Sequence, residues 1–381
     1  MKKRLLTSLL LCFVLIVSTF SFVGCGSAEG YTLSEDGTYY TFTGLTQYES
    51  TEYTILSEVK GVPVTEIAKS AFEQNMTLTK VTIPNSITTM GSSAFNKCGE
   101  LKEVVIGTGL KIIPESAFAN SIKLTTVTFS EGLEEIDRNA FNNCLKLDNV
   151  VLPSTVTTLA SKAFYKCRRL SSIVLPENLT KLETSCFEEC SGLLEVTINK
   201  NLTEISVSCF KKCPKIATIN FAMDGKLEMI ENSAFNGSAV SELVFPDSLK
   251  CIKAGAFFNC KQLRKVTFGK GIEFIGGAVS DTAGGAFSEY VAPEDKATDT
   301  THVLEMIFPE EAIGYGWYPT LDPYGSNPGR VYWREGNPGS HDLYFLTPEE
   351  IKNNEAREQL AQSMGGYSWA KCKTPNPDYA V

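Results

Sequence analysis

Cys186, Cys190, Cys209 and Cys213 make two Cys-x3-Cys pairs set 23 residues apart. Four thiolates at such a spacing have the chemistry to hold zinc, and two of them on neighbouring strands could close a disulfide. A third reading needs neither. Cys98, Cys144, Cys167, Cys190, Cys213 and Cys260 all stand three residues after a Phe, while Cys186 and Cys209 stand where other copies of the same frame carry Ala. The register therefore accounts for every one of them as a small buried side chain, and no metal or cofactor is expected. Proton transfer near neutral pH has only His302 and His341 to draw on; His341 with Asp342 is the one place for a hydrolytic centre. There is no Gly-x-Ser-x-Gly elbow, His-Glu-x-x-His pair or phosphate-cradling Gly-Lys-Ser/Thr loop, so the expectation is a protein that is not an enzyme.

The elements that position these residues come from a repeat. Phe72, Phe95, Phe118, Phe141, Phe164, Phe187 and Phe210 are evenly spaced by 23, a period that signals a solenoid. Each Phe follows a small residue (Ala94, Ala117, Cys186) and precedes an aliphatic at six (Leu101, Leu124, Leu193). An alternating pair comes at nine and eleven, such as Val104 with Ile106 or Val196 with Ile198, predicting a short strand with one buried face. Two more aliphatics come at fifteen and eighteen (Leu133 and Ile136), before a Ser (Ser70, Ser93, Ser116) suited to cap a brief helical or 3-10 turn. No such unit can bury its apolar residues alone, so the units must stack. The frame continues irregularly through Phe235 and Phe257 to Ala286-Phe287, with an insert at 276–303, and a last strand is expected at Leu304 to Phe308.

The ends differ in texture. Lys2, Lys3 and Arg4 precede an apolar run from Leu5 to about Val23, an export signal. Its end, Phe22-Val23-Gly24-Cys25, resembles the lipobox of bacterial lipoproteins. Cys25 is then the expected lipidation site, as against an ordinary cleaved signal or a single anchoring helix. Formal charge is -9 for the 381 residues, and without the three leading bases it is more negative still, which argues against nucleic acid as a partner. Residues 314–381 are aromatic and turn-rich, with a helix expected from Thr347 to about Met364.

The unit Ile-x-x-Ile-x-x-x-Ala-Phe-x-x-Cys-x-x-Leu-x-x-Val-x-Ile-Pro, carried by Val156 to Pro176 and its neighbours, resembles the BspA-type leucine-rich repeat. The resemblance, joined to the repeat, implies an α/β solenoid: a right-handed curved array with one short parallel strand per repeat and a cap at each end. The organisation read from it is a signal peptide (1–24), a tether (25–30), an N-terminal cap and partial repeat (31–64), the solenoid (65–313), and a C-terminal cap or small appended module (314–381). It also implies a secreted or lipid-anchored surface protein, some relatives being adhesins. The expected function is thus non-catalytic binding of an extracellular protein at the outer face of a bacterial membrane, with membrane contact through the lipid alone. The outward strand positions Thr82, Val105, Thr128, Val151, Val174, Thr197, Asn220, Val244 and Thr267 form the candidate partner-binding face, though strand propensity alone also explains them. The alternative is glycan binding by Trp317, Tyr318, Tyr324, Tyr332 and Trp333, whose rings could stack on sugars.

Overall fold

The structure, a computed structural model, describes residues 29–45, 50–276 apart from 149 and 273, residues 286–287, and the backbone of strands at 305–307, 315–321, 328–329 and 369–375. The 23-residue units are successive coils of one β-solenoid. Most coils contribute a three- or four-residue strand, among them Lys80–Ile83, Glu103–Ile106, Glu195–Ile198 and Thr218–Phe221, paired in parallel with neighbours at matching frame positions. The long-strand sheet begins at Glu52–Thr54 and reaches Glu305–Ile307, where the last strand was expected. Its pairing is interrupted at Val150 to Leu152, which carries no strand, and again after Thr218–Phe221.

Two features of the coil depart from the expected α/β pattern. Among the described residues there is no α-helix, and each coil carries a second strand. Thr89–Met90, Ile112–Ile113, Glu135–Ile136, Thr158–Leu159 and Lys181–Leu182 form the start of a short-strand ladder. The sequence hid it because its two aliphatics, such as Leu133 and Ile136, lie three apart, a helical spacing, and only the second sits in the strand. The expected helical turn at Ser-Ala-Phe is instead an arc of alternating backbone hand. The residues two before and two after the Phe are left-handed: Ser93 (φ 58) and Lys97 (φ 59), or Lys162 (φ 59) and Lys166 (φ 61). Side chains other than Gly disfavour this by roughly 1–2 kcal/mol each. What holds them is the next coil: Ser93, Phe95 and Lys97 donate their backbone N–H groups to the carbonyls of Glu115, Ala117 and Ala119 at 3.0, 2.7 and 2.8 Å. Gly237 (φ 80) and Gly255 (φ 65) fill two of these left-handed places without that penalty.

The Phe of each arc points inward. From Phe72 through Phe257 to Phe287 the rings form one buried column, centroids 4.6 to 5.5 Å apart and planes within 14° of parallel. Irregular spacing does not break it. The two extra residues before Phe235 are taken up in a turn at Ala222 to Gly225, and Phe210 and Phe235 still stack at 5.0 Å. Phe257 and Phe287 stack at 5.5 Å although 30 residues separate them.

At the N-terminal end, a hairpin of Tyr31–Leu33 and Tyr40–Phe42 joins the short-strand ladder through Val62–Ile67, with Phe42 stacked on Phe72 at 4.8 Å. At the other end, Trp369–Pro375 pairs antiparallel with Phe274–Ile275 and with Tyr315–Leu321. The expected helix at Thr347 to Met364 lies outside the described residues. Phe164→Ala, emptying the middle of the column, is expected to cost about 3–5 kcal/mol and to shift a urea unfolding midpoint accordingly.

Candidate protein-binding face

The cysteines resolve first. Each thiol at the third position after Phe donates to the carbonyl of the Phe one coil earlier: Cys98 to Phe72 (3.0 Å), Cys144 to Phe118 (3.2 Å), Cys167 to Phe141 (3.3 Å), Cys190 to Phe164 (3.1 Å) and Cys213 to Phe187 (3.2 Å). Ser121 makes the same bond to Phe95 at 2.9 Å, which identifies the role as hydrogen-bond donor. Those carbonyls also accept the N–H closing their own turn, so the S–H takes the second lone pair. Burial pushes the Cys98 thiol up from 9.0 to about 12, and burial raises Cys144, Cys167, Cys186, Cys209 and Cys213 as well. A thiol that donates a bond and keeps its proton is a poor metal ligand or nucleophile. Among the described residues, no group of three or more His, Cys, Asp or Glu is placed to hold a metal ion.

The outward row of the long-strand sheet is assembled as its alternation requires. Register places Thr54, Thr82, Val105 and Thr128 side by side, then Val174, Thr197 and Asn220, then Val244, Thr267 and Ile307. Sequence reasoning overlooked Thr54; the alternation in Glu52-Tyr53-Thr54 was the available signal. The row is most open in its middle, where Val151 is 81% and Val174 72% exposed, while Thr82, Val105 and Thr267 are half-buried. At either end of the sheet an ion pair bridges neighbouring strands, Lys80 with Glu103 at 2.7 Å and Lys265 with Glu242 at 3.6 Å. Between them, Glu195 is exposed on the same strand face as Thr197.

Elsewhere the surface follows the expected stacking of opposite charges. Glu189 collects Lys166, Arg168 and Lys212 at 3.9, 3.4 and 3.6 Å, and its carboxyl is held low by the lysines on the coils either side and by Arg168, against a burial that opposes them. Such exposed pairs contribute about 0–1 kcal/mol each. Cys25, His302, His341, Tyr324, Tyr332 and Trp333 lie outside the described residues, and of Trp317 and Tyr318 the structure describes the backbone, in the strand Tyr315–Leu321.

A family model for the BspA type leucine rich repeat region matches residues 49–170, 111–229 and 157–280, with six copies of the repeat. The chain belongs to this family. A search of curated proteins found no match. Among solved structures, a leucine-rich repeat protein from Bacteroides ovatus is similar at TM-score 0.56 and 19% identity, covering 76% of this chain and 80% of that one. A leucine rich cell surface protein from Faecalibacterium prausnitzii aligns at TM-score 0.33 and 19% identity, over 76% and 96%. The first of these likenesses supports the BspA-type solenoid as the fold.

The thiol ladder carries a pH signature. Burial holds the folded-state pKa of Cys98, Cys144, Cys167, Cys186, Cys209 and Cys213 above the unfolded value, so the unfolded chain releases these protons first as pH rises. Their contribution is therefore complete below about pH 8.5 and is lost above it, by about 1.4 kcal/mol per pH unit for each of these thiols. Melting temperature is expected to fall steeply from about pH 9 upward, and less steeply when Cys144 and Cys167 are replaced by Ser; equal slopes would contradict the assignment.

Proposed function

We propose that this BspA-type repeat protein is a non-catalytic binding protein of the cell surface, exported, lipid-anchored through Cys25, and holding an extracellular protein along the outward row of its long-strand sheet. The observation that carries the reading is the row itself: exposed β-branched side chains at Thr128, at Val151 in the strandless coil that interrupts the sheet, and at Val174 and Thr197 beyond it. A surface of this kind gains free energy when covered, at about 25 cal/mol for each Å² of apolar area removed from water. Its linear shape suits a partner that runs along the solenoid. The leucine-rich repeat family supports a role in protein interaction, and the buried thiols at Cys98, Cys144, Cys167, Cys186, Cys209 and Cys213 are poor nucleophiles because burial keeps their protons on.

The test uses the intact protein against purified extracellular-matrix proteins, mucins and bacterial surface proteins. Replacing Thr128, Val151 and Val174 together by Lys is expected to weaken binding of the captured protein by at least about tenfold, while stability stays within about 1 kcal/mol, as surface changes do. Undiminished capture by the triple variant would remove the sheet face from the account.

A further inference from the structure

At several surface positions this solenoid places opposite charges on adjacent coils. Lys80 faces Glu103, Lys123 faces Glu100, Lys111 faces Glu134, Arg138 faces Glu115 and Lys200 faces Glu177, at 2.6 to 3.7 Å. One column breaks this rule. The fifth position after Phe reads Glu100, Lys123, Lys146 and Arg169 on consecutive coils, with Arg168 beside the last and Lys215 two coils on. Lys123 has its partner in Glu100 at 2.6 Å, and Arg168 reaches Glu189 at 3.4 Å. Among the described residues Lys146, Arg169 and Lys215 are exposed and make no ion pair. The nearby carboxyl of Asp148 is engaged by the Ser171 hydroxyl at 3.2 Å. Coils repeat at about 4.8 Å, and like charges stacked at that distance destabilise. In a chain of net charge -9, cations are thus gathered where they repel one another.

Their place in the coil gives this meaning. The column lies in the turn that leads toward the outward row, five residues before it in the frame, so Lys146 precedes Val151 and Arg169 precedes Val174 on the same coil. Both rows are incomplete alone: among the described residues Lys146 and Arg169 make no ion pair, although Lys146 still feels Glu100, and Val151 and Val174 have no cover. We infer that this column is an anion-recognition strip, and that the partner on the sheet face is an extended acidic polypeptide segment whose carboxylates meet Lys146 and Arg169 while its apolar side chains cover Val151 and Val174. A sulfated polysaccharide would answer the cations and leave the valines exposed; a mixed acidic and apolar segment answers both. The inference rests on the sheet-face reading and names the chemistry of its partner.

The probes are a fluorescein-labelled peptide of alternating Glu and Val, its Gln-for-Glu counterpart, and heparin, each titrated onto the intact protein. The Glu-Val peptide is expected to bind, the Gln-Val peptide to bind at least about tenfold more weakly, and the difference to shrink as salt is raised. Lys146→Glu restores alternation along positions 100, 123, 146 and 169, so it is expected to lose the Glu-Val peptide by about tenfold or more while melting about 1–2 °C higher. A lowered melting temperature would show the column to be structural and overturn the inference, as would unchanged peptide binding by Lys146→Glu. Binding of heparin without the Glu-Val peptide would assign the strip to a polysaccharide and overturn it also. The two readings separate with the natural partner. Capture lost in the Val151 and Val174 variant but kept in Lys146→Glu overturns only the acidic segment; capture kept in both overturns the sheet face with it.

Discussion

A coil of this solenoid cannot cover its own apolar side chains, and the neighbour that covers them is almost a copy of itself. Everything else follows from that borrowing. Phe164 is shielded by Phe141 below and Phe187 above, each 5.3 Å away, and the backbone N–H groups of one arc find their acceptors only in the next. A left-handed Lys162 or Lys166 would be a poor conformation in an isolated peptide; within the stack it aligns the donors of the arc with the following coil. The interior is consequently continuous from Phe42 to Phe287: the extra residues between Phe210 and Phe235 turn out at Ala222 to Gly225, and Phe257 and Phe287 still stack.

The same repetition governs polar groups, because it brings equivalent positions within one strand spacing of each other whether or not they suit. Inside, it puts each Cys thiol at the third position after Phe against the Phe carbonyl of the preceding coil, where a donor is required in a buried place; that is why Ser121 substitutes in the ladder without a change of role. Outside, it turns single substitutions into rows. A Glu facing a Lys becomes a bridge between coils, three adjacent bases become a strip of positive potential, and an outward Val becomes part of an apolar band. Recognition on such a scaffold is accordingly a matter of which residues line up, since no residue acts without the ones above and below it.

Much of this was legible in the residues themselves. The even spacing of Phe72 to Phe210 marks a stack, and the alternation of Val104 with Ile106 or Val196 with Ile198 marks the long strands and points Val105 and Thr197 outward, as found. The stacking of Lys166, Glu189 and Lys212 follows from shared frame positions alone. Other features were hidden for identifiable reasons. Two-residue strands such as Glu135–Ile136 are too short to show a period of two. The left-handed arc carries Ser, Asn, Lys and Glu interchangeably, since the hydrogen bonds to the next coil impose its shape on whatever side chain is present. The role of Cys144 as a donor is invisible without the carbonyl of Phe118, which is 26 residues away in the chain.

By itself, then, the sequence determined what repeats: the period, the buried ring, the strand that faces outward and the sign of each charge, because periodicity in side-chain character is local and survives in one dimension. The tertiary structure decided how one coil meets the next: two ladders per coil in place of one, arcs in place of helical turns, and thiols as donors. Those relations depend on hydrogen bonds and contacts between residues a full coil apart, and only stacking brings the partners together.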